Sequence, residues 1–436
     1  MHASDVLHSN LGSFKRTNFA RGGDGLNTKY YLSSQCRTLE KENRVILYNS
    51  KTGESIKISS ECWKIINYLN EGFTIQEICA AAENEEDRGY LEKLFNKLLE
   101  RELVISGSGD KEENQLESID LVLTHKCNLK CIHCCVDASG LSESDLLSKE
   151  QMFSIIDKIT QINLRIIVIT GGEPMVREDF MDIMSHLRNN FEGKISLMTN
   201  GTLINRENVI KLSEYFDNFN ISIDGYDEES CSLVRGKGVY DKVINSINLL
   251  KKAGISGENI SLSMVKMATN LNGINKFHEL NKELETQEVI REFDPIGRGR
   301  SNVKKLLYES SESYDVPICL PRAQTCAAGE KKLTINYDGS IYPCLLLDKE
   351  EYNMGNILEI ENIQAFILEE QYKKSIGYCN LKKIMPQFHE KCSKCSVNAF
   401  CWYCLEDFYK CMKSGKFSEW CSLKKKELKY IWEIES

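Results

Sequence analysis

The sequence has no long apolar run: nothing in its 436 residues approaches the roughly 18 consecutive apolar residues that read as a membrane-spanning helix. The first 29 residues also lack the apolar stretch of a secretory signal, so we expect a cytoplasmic protein that is neither exported nor held in a membrane. Basic residues are in the minority, with 55 Lys and Arg against 64 Asp and Glu. The formal charge of −9 therefore disfavours nucleic acid as the main partner.

Cysteine, in contrast, is abundant, with 18 copies in the chain. Disulfides are rare in a reducing cytosol, so these thiols are better explained by metal or redox chemistry. A hydrophobic content of 42% and a charged content of 27% are typical of a globular protein. The length predicts two to three domains.

The first 108 residues contain a tail and a small module. Residues 1–29 are rich in Gly, Asn and Ser and have no periodicity, which predicts a flexible tail. Residues 30–108 predict a hairpin around the Lys51-Thr52-Gly53 turn and three helices, the outline of a winged helix. A winged helix often binds DNA, but this segment is slightly acidic and shows no basic stripe. We therefore favour a peptide-docking module, followed by a linker that ends near residue 115.

Between residues 115 and 300, apolar strands and amphipathic helices alternate six times. This alternation predicts an α/β domain with a parallel sheet and right-handed crossovers. Six units fall short of the eight of a closed barrel, so we expect a partial (β/α)6 barrel of the TIM type. Polar residues and glycines follow five of the strands, and the carboxyl ends of parallel strands are where such folds place active sites. These positions are Cys127, Gly171–Pro174, Asn200, Asp224 and the segment GRGR at 297–300.

The loop after the first of these strands carries Cys127, Cys131 and Cys134 in the spacing C-x-x-x-C-x-x-C. A structural zinc site would pair two C-x-x-C elements, and the barrel segment has no second pair. Three thiolates on a four-iron cluster would instead leave one iron open to another ligand, as catalytic metal sites do. Cys135 directly follows Cys134, and neighbouring side chains rarely reach two corners of one cluster, so we do not expect it to be a ligand.

This spacing, with Gly-Gly-Glu-Pro at 171–174 one unit later, resembles the radical S-adenosylmethionine (SAM) enzymes. The resemblance implies that the three cysteines hold a [4Fe–4S] cluster whose open iron binds SAM, and that an electron cleaves SAM to a 5′-deoxyadenosyl radical. It also implies a set of SAM contacts in which the glycines permit close backbone approach. Outside the Gly-Gly-Glu-Pro segment these contacts have plainer alternatives: Asn200, Ser222, Asp224 and Arg235 could be ordinary turn or cap residues, and His133 could be a plain loop histidine. The set is Gly171, Gly172, Glu173, Pro174, Asn200, Ser222, Asp224 and Arg235, with His133 against the adenine.

The cysteines beyond residue 319 resemble the SPASM extension of radical SAM enzymes, which carries auxiliary [4Fe–4S] clusters. The resemblance implies two auxiliary clusters, three clusters in all. By position, cluster I would be held by Cys326, Cys344 and Cys404, and cluster II by Cys392, Cys395, Cys401 and Cys421. Only two residues separate Cys401 from Cys404, where the pattern has three, which puts the role of Cys404 in doubt.

Two questions stay open for these C-terminal cysteines. Cys319 lies seven residues before Cys326. It either closes cluster I as a fourth ligand, which we favour, or leaves one of its irons open. The segment CSKCSVNAFCWYC could instead form a zinc ribbon, but that reading leaves Cys326, Cys344 and Cys421 unexplained.

The N-terminal module resembles the recognition element of enzymes that modify ribosomally made peptides (RiPPs). That element captures a precursor's leader peptide as an added β-strand, and we expect the RVILYN/ESIKI hairpin to offer the edge. With a barrel over 115–300 and a SPASM domain over 301–436, the chain resembles maturases that install thioether crosslinks of the sactipeptide and ranthipeptide type. The resemblance implies an oxidoreductase with an external electron donor of the flavodoxin or ferredoxin type. Rival interpretations are another SPASM chemistry, such as carbon–carbon crosslinking, side-chain oxidation or small-molecule modification, and an iron–sulfur sensor that binds DNA.

Overall fold

The computed structural model describes residues 29–107, 116–308, 320–323, 326–401 and 404–434. The predicted tail up to residue 28, most of the predicted linker and Cys319 lie outside these ranges. The chain divides into two compact units. The first comprises Met1–Glu113, Ser313–Cys326 and Lys382–Ser436, and the second comprises Asn114–Glu312 and Ala327–Leu381.

The N-terminal part of the first unit contains the predicted hairpin and the three predicted helices. Its strands are β1 (Tyr30–Leu32), β2 (Cys36–Lys41), β3 (Arg44–Asn49), β4 (Ser55–Ser59) and β5 (Val104–Ser106). Its helices are α1 (Ser60–Ile66), α2 (Ile75–Ala80) and α3 (Glu85–Glu100). The short strands β1 and β5 pair antiparallel with each other, and β2, β3 and β4 form a separate antiparallel sheet in that order.

The expected leader-binding edge needs a correction. Because β2 pairs with β3 over six residue pairs, RVILYN is the central strand of the sheet and offers no edge. Only β4, with the sequence SIKIS, remains at an edge of the predicted hairpin. The sequence CRTLEK of β2 is charged and alternates weakly, which is why the apolar pattern did not reveal it as a strand.

Alternate side chains of β3 and β4 point to opposite faces of the sheet, and one of these faces packs against the helices. Val45 and Leu47 of β3 and Ile56 and Ile58 of β4 point to one face and belong to a buried cluster that includes residues of all three helices. The second helix begins after Thr74, which caps it in a reciprocal capping box with Glu77, a signal that the local sequence carries.

The second unit is built on an eight-stranded sheet in the order β11-β10-β9-β8-β7-β6-β12-β13. Strands β6 to β11 are all parallel, which confirms the six predicted units and the partial barrel. They are β6 (Ser118–Val122), β7 (Ile166–Thr170), β8 (Lys194–Thr199), β9 (Asn218–Ser222), β10 (Ile260–Lys266) and β11 (Gln287–Glu292). The helices are α4 (Lys149–Ile159), α5 (Phe180–Asn190), α6 (Val209–Tyr215), α7 (Glu228–Arg235), α8 (Val239–Lys252), α9 (Ile274–Glu283) and α10 (Val303–Leu306).

A hairpin from outside the predicted barrel extends this sheet. Its strands are β12 (Lys332–Ile335) and β13 (Ile341–Tyr342), and β12 runs parallel to β6. The strand next to the cysteine loop is therefore covered on both sides, by β7 and by β12. Sequence periodicity does not reveal this pairing, because the two partners are more than 200 residues apart.

The remaining helices are α11 (Ile363–Leu368), α12 (Ile376–Ile384), α13 (Asn398–Cys401), α14 (Leu405–Lys413) and α15 (Phe417–Glu427), and a 3-10 turn, Leu428–Trp432, continues α15. Among the helices of the described ranges, none combines the length and the apolar character needed to cross a membrane.

Candidate active site

The three-cysteine loop leaves the carboxyl end of β6. The Cys131 residue is almost completely buried, and the Cys127 thiol interacts electrostatically with the thiols of Cys131 and Cys134. Burial raises the pKa of Cys127 to about 11 and also raises that of Cys131. Buried thiols of this kind ionise only against a strong positive partner, and a bound iron cluster provides one.

Three cysteine thiols on one loop are a donor set that fits an iron–sulfur cluster, whose irons take thiolate ligands. A cation also lies nearby, since Nη1 of Arg235 is 4.0 Å from Sγ of Cys131.

Gly171 and Gly172 pack the turn after β7 directly against the start of the cysteine loop. A Cβ atom on Gly171 would lie 2.5 Å from the carbonyl oxygen of Thr124, and one on Gly172 would lie 2.2 Å from that of Lys126. The backbone N–H of Gly172 donates to Thr124 and that of Glu173 donates to Lys126, at 2.9 and 2.8 Å. The two glycines are thus required by the contact between the two loops, in addition to any approach of a ligand.

Glu173 is completely buried and joins the ends of two neighbouring strands. Its carboxylate accepts a hydrogen bond from the hydroxyl of Thr199 at 2.8 Å and from the backbone N–H of Asn200 at 2.7 Å. Burial is the main reason that the pKa of Glu173 is raised. Pro174 follows and opens a 3-10 turn.

Asn200 connects the next strand end to the cysteine loop. Its side-chain amide donates to Asn128 at 2.8 Å and lies 3.8 Å from Sγ of Cys127. Its carbonyl oxygen accepts from the backbone of Thr202, so the side chain is held in one orientation.

Asp224 holds two predicted site residues together. Its carboxylate, with 1% of the side chain exposed, lies 2.6 Å from the Arg235 guanidinium and 2.9 Å from Nε2 of His133. It also accepts a hydrogen bond from the backbone of Val265. Burial acts to raise the pKa of Asp224, but Arg235 and His133 hold it well below its usual range. Ser222 is half-buried two residues earlier, with its hydroxyl 3.4 Å from that of Ser263.

Arg298, in the GRGR segment, was not assigned a role from the sequence, yet it binds the cysteine loop at three points. Its guanidinium donates to the carbonyl oxygens of Cys131 at 3.1 Å and Ala138 at 2.7 Å, and its backbone N–H donates to that of Cys134 at 2.9 Å. It also pairs with Asp137 at 3.0 Å. All three main-chain acceptors lie in the loop, so Arg298 holds its backbone in place.

Arg177 performs a similar role on the other side of the loop and was likewise missed. It is buried and donates to the carbonyl oxygens of Leu123 and Leu147, at 3.0 and 3.2 Å. Asp145 accepts from Thr124 at 2.5 Å and pairs with Lys126 at 2.7 Å. The only sequence signal for Arg177 is its position three residues after Pro174, in the spacing Pro–x–x–Arg that follows the two glycines.

Within the first unit, six of the cysteines predicted to hold the auxiliary clusters fall into two groups. Cys401 interacts electrostatically with Cys395, Cys392 and Cys421, and burial raises its pKa to about 12. Cys404 interacts with Cys326 in the same way. Cys344 belongs to the second unit, directly after β13. The donor set is sulfur throughout, as iron–sulfur clusters require.

Comparison with known proteins assigns the class. The family model of the radical SAM superfamily matches residues 121–280, and that of SPASM, an iron–sulfur cluster-binding domain, matches residues 326–396. The chain is a radical SAM enzyme with a SPASM domain, and it uses SAM and [4Fe–4S] clusters, auxiliary clusters included.

Two relatives show how far the sequence similarity extends. Mycofactocin maturase MftC of Mycolicibacterium smegmatis is 30% identical over 264 residues, 54% of this chain and 66% of MftC. The antilisterial bacteriocin subtilosin biosynthesis protein AlbA of Bacillus subtilis is 28% identical over 336 residues, 72% of each chain.

The crystal structure of SuiB from Streptococcus suis bound to SAM covers 87% of this chain and 96% of SuiB, at a TM-score of 0.52 and 15% identity. SuiB has also been solved bound to the precursor peptide SuiA, with a TM-score of 0.50 and 16% identity over 87% of this chain and 97% of SuiB. These likenesses show that the fold is shared.

Proposed function

We propose that this radical SAM enzyme is a peptide maturase: it binds a precursor peptide through its leader and forms thioether bonds from cysteine sulfur to carbon. The observation that supports this most strongly is the outer edge of β4, which pairs with no further strand among the described residues and lies in a small module on the same chain as the three-cysteine loop. A module of this kind suits a peptide substrate, because an edge strand recognises extended backbone.

The hydrogen-bond register identifies which backbone groups of β4 face outward. The N–H of Asn49 donates to the carbonyl of Glu54, and that of Ser60 donates to Asn43. In an antiparallel pair such bonds alternate, so the even-numbered residues of β4 face β3. The backbone groups of Ser55, Lys57 and Ser59 face the opposite side, where within the described ranges β4 has no strand partner.

The relatives support the substrate class. MftC is named a maturase, and AlbA is named for the biosynthesis of a bacteriocin, subtilosin. SuiB, which shares the fold, was crystallised with a precursor peptide. The precursor peptide bound by SuiB, whose fold covers 87% of this chain, supports a peptide as the substrate class.

Cys127, Cys131 and Cys134 would hold the cluster that binds SAM. When bound, the cluster and SAM supply a 5′-deoxyadenosyl radical. The buried carboxylates of Glu173 and Asp224 would keep the surrounding loops fixed while the peptide enters the site. Arg298 would hold the backbone of the cysteine loop, so that the thiols keep their positions during turnover.

The proposed reaction balances in atoms and electrons. A substrate C–H bond and a cysteine S–H bond break, and one C–S bond forms. The hydrogen atom from carbon passes to the 5′-deoxyadenosyl group, and the thiol proton is released to water. Auxiliary clusters held by the C-terminal cysteines would accept the remaining electron, which balances the one spent on SAM, and a flavodoxin- or ferredoxin-type donor would prime the enzyme. The peptide loses two hydrogens per bridge.

Co-expression with a small cysteine-containing peptide encoded beside the gene tests the chemistry. Mass spectrometry should show two hydrogens lost per bridge, and the bridged cysteines should no longer react with iodoacetamide. The variant Cys131→Ala should leave the peptide unchanged. If two hydrogens are lost while every cysteine still reacts, the product is a carbon–carbon crosslink or an oxidised side chain, and the thioether proposal is wrong.

Leader binding is tested at the edge itself. Ser55→Pro removes an outward N–H that β3 does not use, so the sheet should stay folded while affinity for the leader falls. Ser55→Ala controls for the lost hydroxyl, and Glu40→Pro removes an outward N–H from the opposite edge strand, β2. We expect only Ser55→Pro to weaken binding in a fluorescence anisotropy titration. Equal weakening by Glu40→Pro would rule out β4 as the docking strand.

A further inference from the structure

The sheet of the N-terminal module is buried on both faces, and its second face carries a lysine. Leu39, Ile46 and Lys57 are direct neighbours across β2, β3 and β4, on the face opposite the helix-packed cluster. Ile46 is completely buried and Lys57 is only 3% exposed. A buried ammonium group requires hydrogen-bond acceptors, so this face must meet polar groups of another segment.

Those acceptors come from the C-terminal end of the chain. Nζ of Lys57 donates to the carbonyl oxygens of Ile431, at 3.2 Å, and Ile434. The guanidinium of Arg44 donates to the carbonyl of Trp432 at 2.5 Å. The last carbonyls of a helix lack partners within it and carry partial negative charge, so two cations are well placed here. The pKa of Lys57 is lowered by burial and by Arg44.

The same C-terminal segment binds the loop predicted to hold auxiliary cluster II. The indole N–H of Trp432 donates to the carbonyl of Ser396 at 3.0 Å, directly after Cys395. Asn398 then closes the loop by donating to the carbonyls of Cys392 and Cys395, at 3.0 and 3.2 Å. Cys421 lies on α15, which leads into the turn that ends at Trp432. The two segments that carry the predicted cluster II ligands are the Cys392–Cys401 loop and α15. Trp432 donates a hydrogen bond to the first and follows the second along the chain.

A second set of contacts connects the turn before β4 with the segment that precedes Cys326. The N–H of Ala323 donates to Gly53 at 2.7 Å, and the hydroxyl of Ser55 donates to Pro321 at 3.2 Å. Gly53 has φ +76°, and a Cβ there would lie 2.5 Å from the carbonyl oxygen of Ala323. This turn therefore has the conformation and the close contact that favour glycine.

We propose that the N-terminal sheet also serves as a support for the auxiliary iron–sulfur sites, with Lys57 as the positioning residue for the cluster II loop. Lys57 holds the end of the C-terminal helix through its hydrogen bonds to the carbonyl oxygens of Ile431 and Ile434. Trp432, in the same segment, holds the backbone of Ser396 and thereby positions the neighbouring Cys395. The inference rests on the proposed function and on the cluster II ligands that the sequence predicts, but it does not depend on which bond the enzyme forms.

The test uses the full chain in a Cys127→Ala, Cys131→Ala, Cys134→Ala background, which retains the auxiliary sites alone. Lys57→Met is compared with Lys41→Met, an exposed lysine on β2 of the same sheet. Iron and acid-labile sulfide, the EPR spectrum and the midpoint potentials are measured anaerobically. A further variant, Cys392→Ala with Cys395→Ala, identifies the cluster II signal by its loss.

We expect Lys57→Met to remove the cluster II signal or shift its midpoint potential, while Lys41→Met matches the parent protein. Because Lys57→Met could unfold the module, a second variant is measured. Trp432→Phe keeps an aromatic ring and removes the indole N–H donor. It should shift the cluster II potential with little change in the thermal midpoint.

If Lys57→Met folds, the proposal is overturned when both this variant and Trp432→Phe keep the EPR spectrum and midpoint potentials of the parent protein. If Lys57→Met does not fold, the proposal is overturned when Trp432→Phe keeps that spectrum and those potentials. No peptide is present, so these outcomes are independent of the crosslinking reaction. A parent protein without auxiliary iron would instead refute the ligand assignment itself.

Discussion

Replacing Arg298 with glutamine should loosen the cysteine loop without touching any cysteine. The guanidinium donates two hydrogen bonds to loop carbonyls, and a bond from a charged donor contributes about 1.5–3 kcal/mol. The pair with the exposed Asp137 adds about 0–1 kcal/mol. Glutamine can recover one neutral bond of about 1 kcal/mol. The net loss is therefore about 2–6 kcal/mol, and even its lower limit corresponds to a roughly 30-fold larger population of misplaced loop.

The assay is reductive SAM cleavage by anaerobically reconstituted enzyme, measured as 5′-deoxyadenosine, with iron content determined in parallel. Arg298→Gln should reduce cleavage by about 30-fold or more, in line with the lower limit calculated above. The matched control is Arg300→Gln, since Arg300 lies in the same turn but is exposed. Wild-type cleavage by Arg298→Gln, or an equal loss in Arg300→Gln, would refute the reasoning.

Two more substitutions test the site. Gly172→Ala should prevent stable cluster assembly, because the new Cβ would lie 2.2 Å from the carbonyl oxygen of Lys126. The control is Gly89→Ala, where a Cβ meets nothing within 4 Å, and this variant should assemble the normal iron content. A normal iron content in Gly172→Ala would contradict the close contact. Asp224→Asn leaves Arg235 without its buried anionic partner, which costs about 3–5 kcal/mol. The thermal midpoint should fall and recover partly when Arg235→Met is added; an unchanged midpoint in Asp224→Asn would show that the ion pair is not needed.

The sequence predicted the elements whose signals are local. Six apolar strands alternating with amphipathic helices gave the partial barrel, and the Thr74 cap marked a helix start. The positions of the three-cysteine loop and of Gly171–Pro174 followed from their place after successive strands. In each case the pattern reflects burial or capping within a few residues, which a single sequence records directly.

The elements that were missed depend on distant contacts or on the main chain. Strand β2 has one well-buried residue, Leu39, among charged neighbours, so its alternation is weak. Arg298 and Arg177 donate to carbonyl oxygens, which carry no side-chain signature in the sequence. The burial of Lys57 depends on a helix end more than 370 residues away, and a lysine in an edge strand otherwise suggests exposure.

Transfer of a hydrogen atom from the peptide to SAM can be followed with deuterium. A precursor peptide deuterated at carbon is incubated anaerobically with reconstituted enzyme, SAM and a reductant. We expect one deuterium in the 5′-deoxyadenosine formed for each bridge, with loss of the corresponding cysteine thiol. Bridged peptide accompanied by unlabelled 5′-deoxyadenosine, or labelled 5′-deoxyadenosine with every thiol intact, would contradict the proposed reaction.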